Sequence, residues 1–149
     1  MSVPARVSLA TLGVTDVARA TEFYESLGWR LSPASVPGLV SFFHTAGGLL
    51  SLVATNDIAA DAGLTARAAP ANPAADFRGT MLAINVESPA AVDEALRAVV
   101  QAGATLVKAG GAAEWGGYIG YFTDPDGHLW EITHNPDWPL DPAGVPQLP

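Results

Sequence analysis

The chain has 149 residues, of which 49% are hydrophobic and 15% charged, with a formal net charge of −8 and no cysteine. That composition gives one well-buried domain and excludes a disordered chain, disulfides and thiolate metal sites. A single lysine, Lys108, and six scattered arginines leave no basic stripe for phosphates, and the longest apolar runs, such as LAINV, are far too short for a membrane span, so neither nucleic acid nor membrane is an expected partner.

The N-terminal MSVPARVSLATLGV has no signal-type apolar block or small-residue cleavage site, which points to a cytoplasmic protein. RVSLATLGV, residues 6–14, reads as a strand. TDVARATEFYESLG follows as a helix, with Asp16 as N-cap, Val17, Ala20, Phe23, Tyr24 and Leu27 at helical spacing, and Gly28 as the stop. Three shorter strands are expected next, WRLSPAS, LVSFFHT and GLLSLVA, the last two joined by a hairpin at Gly47-Gly48. Residues 55–78 gain Ala, Pro, Asp and Asn and read as a linker with room for one short helix.

The series then restarts. TMLAINV is a strand, and Ser88 caps a helix with Pro89 at its first position. Val92, Ala95, Leu96, Val99 and Val100 form the expected buried stripe before Gly103. ATLVKA, GGYIGYFT and HLWEITH supply three more strands. The chain therefore spells βαβββ twice, with module one at about 6–54, the linker at about 55–78, module two at about 79–135 and a Pro-rich tail at 136–149. LATLGV aligns with MLAINV at an offset of 72, and GGLLSLV with DGHLWEIT at an offset of 80.

Strand alternation sorts faces. Leu12, Val14, Leu82, Ile84, Leu50, Leu52, Trp130 and Ile132 belong against helices, whereas Leu49, Ser51, Val53, Leu129, Glu131 and Thr133 face a cleft. His128, Glu131 and His134 would share one face on a helix, but the Asp124-Pro125-Asp126-Gly127 turn launches a strand, on which Glu131 points away from both histidines. Three potential metal ligands in seven residues are thus not expected to form one centre.

The paired βαβββ, the FYESLGW end of the first helix and YFTDPDGHLWEI together resemble the vicinal oxygen chelate superfamily, which contains glyoxalase I, extradiol dioxygenases and bleomycin-resistance proteins, over about residues 6–135. The resemblance implies an α+β fold, two βαβββ modules forming a curled mixed-sheet cup, and a homodimer. It also implies four metal-ligand positions, carried over to Leu9, Ser51, Met81 and Glu131. Only Glu131 is a firm donor, so the cup is expected to hold no metal cofactor, a divalent ion being the alternative. The register of LVSFFHT leaves open whether His44 turns toward Glu131.

Glu131 is the candidate catalytic residue, as general base or as acceptor for a ligand, against a reading in which it bonds only to neighbouring threonines or water. Trp115 and Tyr118, beside Gly116 and Gly117, either stack on a planar ligand or pack the hairpin. Asn85 either binds ligand or satisfies backbone. With Leu9, Ser51, Met81 and His44, these residues describe a site for a small apolar or aromatic molecule in a binding protein. The alternative is a lyase, isomerase or dioxygenase of the glyoxalase type, using either Glu131 as base or metal ligands of a different register.

Overall fold

The computed structural model describes residues 2–149. The chain divides into two compact units, the first ending at Ala68 and the second running from Ala69 to Pro149. Each contains one mixed sheet with a helix against it, so the α+β class expected from the sequence is the class observed.

In the first unit β1 (Leu9–Val14) leads into α1 (Val17–Ser26), followed by β2 (Val40–Thr45), β3 (Gly48–Ala54) and α2 (Thr55–Asp61). The strand order is β1-β3-β2, with β1 parallel and β2 antiparallel to β3. Asp16 caps α1 by accepting the Arg19 N–H at 3.1 Å, and Gly28, at φ 85°, turns the chain out of the helix in a conformation other residues rarely adopt. Tyr24 is almost fully buried and its ring meets those of Phe23, Trp29 and Phe43, which fastens α1 to the sheet.

WRLSPAS does not form the strand expected of it: only Leu31 bridges to Phe43. Pro33 has no N–H to give a ladder, and Ser35 Oγ takes the Phe42 N–H at 2.9 Å, a donor that a neighbouring strand would otherwise use. The linker region starts as α2 directly after β3, and a single 3₁₀ turn follows at Pro73–Ala75.

The second unit runs β4 (Met81–Asn85), α3 (Pro89–Gln101), β5 (Thr105–Ala112), β6 (Tyr118–Thr123) and β7 (Leu129–His134), in sheet order β4-β7-β6-β5. Ser88 Oγ accepts the Ala91 N–H at 3.1 Å and Pro89 opens α3. Val92, Leu96 and Val99 are buried against β5, β6 and β7, whereas Val100, expected in that stripe, lies at its edge and is 43% exposed. Leu9 pairs with Leu49 and Met81 with Leu129, so the offsets of 72 and 80 between the halves map one pair onto the other. Among the described residues no helix is long and apolar enough to cross a membrane.

Gly120 sets how closely α3 approaches β6, because a Cβ there would collide with Leu96 Cδ1 and stand 3.0 Å from the Lys108 carbonyl oxygen. Gly120→Ala is therefore expected to destabilise the protein by about 1–3 kcal/mol, through overpacking against the Leu96 side chain and the neighbouring β5 backbone. Urea denaturation monitored by tryptophan fluorescence checks this, and an unchanged midpoint would contradict it.

Candidate functional site

The second sheet has two faces of different chemistry. Toward α3 it presents Trp130, Ile132 and Phe122, all buried, with the Phe122 and Trp130 rings parallel at 6.2 Å. On the other face, pairing sets residues in rows across the four strands. Ala83, Glu131, Tyr121 and Lys108 form one row. Met81, Leu129, Thr123 and Thr105 form the row on one side of it, and Asn85, Thr133, Ile119 and Gly111 the row on the other.

The centre of this grid is a hydrogen bond. Tyr121 donates its hydroxyl proton to Glu131 Oε2 at 2.6 Å, the short distance of a bond to a charged acceptor. That bond, assisted by burial and by the nearby negative charge, pushes the Tyr121 phenol up to about 12. The other carboxylate oxygen, Oε1, has no hydrogen bond among the described residues. Tyr121 was absent from the residues singled out in the sequence, yet the Asp124–Gly127 turn identifies it: a hairpin closing there pairs Thr123 with Leu129, and two residues further along each strand come Tyr121 and Glu131.

Polar atoms without partners flank the pair. Thr123 and Thr133 are 4% and 5% exposed, and the hydroxyl oxygen of each is buried without a hydrogen bond. Leaving such a group unpaired costs about 1–3 kcal/mol, and a ligand atom or solvent molecule removes that cost. Asn85 is half-buried beside Thr133. Met81, 40% exposed, and Leu129 supply apolar surface at one end.

The first sheet repeats the grid with different side chains. Ser51, which occupies the position equivalent to Glu131, pairs with Thr11 and Phe42, and the Thr11 and Ser51 hydroxyls lie 2.5 Å apart. Phe42 thus stands where the second unit has Tyr121, without a hydroxyl to offer. Ser41 and Phe43 are buried toward α1, Ser41 meeting Thr21 Oγ1 at 2.6 Å, so His44 takes the opposite face in a row with Leu49 and Leu9. The facing of His44, ambiguous in the sequence, is settled by this alternation.

Trp115 and Tyr118 do not share a surface. The Trp115 indole lies over Gly117, where a Cβ would collide with the ring, so the glycine serves to seat the indole on the hairpin. Tyr118 falls on the α3 side, its hydroxyl donating to both Asp93 carboxylate oxygens at 3.1 and 3.2 Å, and loss of hydration together with that carboxylate raises its pKa. Parity explains the separation: Tyr118 pairs with His134, three positions from the Tyr121–Glu131 pair and hence on the opposite side of the pleat. His134 Nδ1 lies 3.1 Å from the Val86 carbonyl oxygen, and His128 neighbours Arg78 at the start of β7.

Neither sheet by itself offers a donor set that fits a divalent metal. On the first, Leu9 and Ser51 are not firm ligands; on the second, Met81 is not one and Glu131 accepts the Tyr121 O–H; and among the described residues no three His, Cys, Asp or Glu side chains come together.

The model of the Glyoxalase/Bleomycin resistance protein/Dioxygenase superfamily matches residues 6–132. Among solved structures, a glyoxalase-related enzyme from Fulvimarina pelagi is 30% identical, with 97% of this chain and 99% of that one covered and a TM-score of 0.82. A glyoxalase/bleomycin resistance protein/dioxygenase from Nocardioides is 25% identical over 100% and 93% of the two chains, with a TM-score of 0.73. A lactoylglutathione lyase from Agrobacterium tumefaciens, 20% identical over 93% and 100% with a TM-score of 0.67, shares the fold. No curated protein matches the chain.

The Tyr121–Glu131 bond has a titration signature. The folded protein holds the phenol proton more tightly than the unfolded chain does, so the stability contributed is complete below the ordinary phenol value of 10.0 and is lost as pH rises toward about 12. In Glu131→Gln the carboxylate acceptor is gone, and Tyr121 is expected to ionise closer to 10.0. Phenolate absorbance during alkaline titration, with Tyr121→Phe identifying the transition, tests this; identical curves for the wild type and Glu131→Gln would refute it.

Proposed function

The chain belongs to the glyoxalase/bleomycin resistance protein/dioxygenase superfamily, and from that premise we propose that it is a small-molecule-binding protein that needs no metal. Its ligand is a small apolar or aromatic molecule laid on the face of the second sheet turned away from α3. The observation that carries this reading is the Tyr121–Glu131 hydrogen bond, set in a grid where Ala83, Met81, Leu129 and Ile119 alternate with Asn85, Lys108 and three threonines. Apolar side chains supply contact area for the body of the ligand, and a few fixed polar atoms orient it. Glu131 Oε1 accepts a hydrogen bond from the ligand, because Tyr121 occupies only Oε2. Tyr121 has committed its single proton to the carboxylate and meets the ligand as an acceptor or as an aromatic surface.

A second reading keeps the same residues and adds chemistry: Glu131 takes a proton from a bound carbonyl-type substrate, with Tyr121 holding the carboxylate in place. The similarity to a glyoxalase-related enzyme at 30% identity favours retaining it. Turnover that survives unchanged in Glu131→Gln would remove it.

The binding reading is tested with 2-naphthol, a neutral aromatic carrying one hydroxyl donor, on protein treated with EDTA and verified metal-free by elemental analysis. Saturable binding by calorimetry is expected, weakened roughly tenfold or more in Glu131→Gln, in line with the loss of a hydrogen bond to a charged acceptor. Binding that appears only after adding a divalent ion would overturn the proposal.

A further inference from the structure

Lys108 is the only lysine in a chain of net charge −8. It pairs with Tyr121, which pairs with Glu131, so an ammonium, a phenol and a carboxylate lie in one row across β5, β6 and β7. Residues directly paired across antiparallel strands share a face, and Lys108 therefore stands on the same side as Glu131. Among the strand residues of that face it is the sole cation. No side-chain hydrogen bond or ion pair among the described residues engages its ammonium; Arg78 of the same unit, by contrast, donates to the Asp126 carbonyl oxygen at 2.8 Å.

A lysine on an edge strand has a simpler use, since its charge discourages pairing with another sheet. Two features argue that this is not why Lys108 is here. Register shifts on both sides of Lys108, between Leu106 and Lys108 and between Lys108 and Gly111, already disrupt β5 as a template. The opposite edge of the sheet, β4, reads MLAIN and carries no charge at all. Those same irregularities re-aim a side chain, and the residue they enclose is the one that pairs with Tyr121.

We infer that Lys108 is a binding residue for an anionic group of the ligand, and hence that the ligand is two-ended: a hydrogen-bond donor reaching Glu131, a flat apolar body across Tyr121, and a carboxylate at Lys108. The inference rests on the binding reading above and names the ligand class it takes. Strands two apart in a sheet are separated by about 9.5 Å, which sets the span between the two polar ends. The overall negative charge of the protein repels anions, so the anionic end can settle only where a local cation offsets that field.

The test uses 6-hydroxy-2-naphthoate, its methyl ester, and 2-naphthol, with calorimetry on the full-length wild type, Lys108→Met and Lys108→Arg. The wild type is expected to bind the acid about fivefold or more tightly than the ester, the upper range for a partly solvated ion pair, and the preference should shrink as salt is added. Lys108→Met should abolish the difference by weakening the acid at least about fivefold more than the ester, and Lys108→Arg should retain it. Equal affinity of acid and ester for the wild type, or a preference that persists in Lys108→Met, overturns the inference and leaves the binding reading intact. Failure of all three compounds to bind at millimolar concentration overturns both.

Discussion

β7 lies between β4 and β6, and its pleat decides what each face of the second sheet can be. Trp130 and Ile132 go into the contact with α3, 4% and 1% exposed, so Glu131 between them must emerge on the other side. The stack of Trp130 on Phe122 also holds β6 in register with β7. Tyr121, next to Phe122, is thereby brought opposite Glu131. A slip of one residue would drive the carboxylate into the apolar contact with the helix, at a cost far above anything the hydrogen bond returns. The polar pair on one face is thus a consequence of hydrophobic packing on the other.

The same grid built twice shows how little of the chemistry belongs to the scaffold. Ser51 and Glu131 occupy equivalent places on the last strand of each sheet, and both are flanked by residues of a parallel and an antiparallel neighbour. In the first unit those neighbours are Thr11 and Phe42, and the outcome is two hydroxyls sharing a bond. In the second they are Ala83 and Tyr121, and the outcome is a carboxylate held by a phenol with one oxygen left over. Fold and strand pairing are common to both, while reactivity turns on the three side chains exchanged.

What the sequence made legible was set by short-range physics. Asp16 and Ser88 read as helix caps because a side-chain oxygen needs only the next turn of backbone, and both cap as expected. The offsets between the halves equated Leu9 with Met81 and Leu49 with Leu129, and the observed pairs Leu9–Leu49 and Met81–Leu129 map onto each other accordingly, although which strands pair was not part of that reading. WRLSPAS failed for want of backbone donors, which hydrophobic alternation does not register. Tyr121 was recoverable from the turn at Asp124–Gly127; attention to aromatics beside glycine favoured Trp115 and Tyr118 instead, one seated on Gly117 and the other held by Asp93. Lys108 was not recoverable, because two register shifts separate it from any pattern of alternation.

The Tyr121 bond also explains how a carboxylate persists on a half-apolar surface. Glu131 is half-buried, and a charge there without a partner would carry an uncompensated desolvation cost. One strong donor at 2.6 Å offsets part of that desolvation and restrains the carboxylate through Oε2, leaving Oε1 as its open acceptor. A preorganised acceptor of this kind loses no rotamer freedom on binding, whereas a free glutamate would have to be ordered by its ligand. On the proposed binding reading, the phenol therefore contributes more to direction than to affinity, with apolar contact supplying the hold and the carboxylate the orientation.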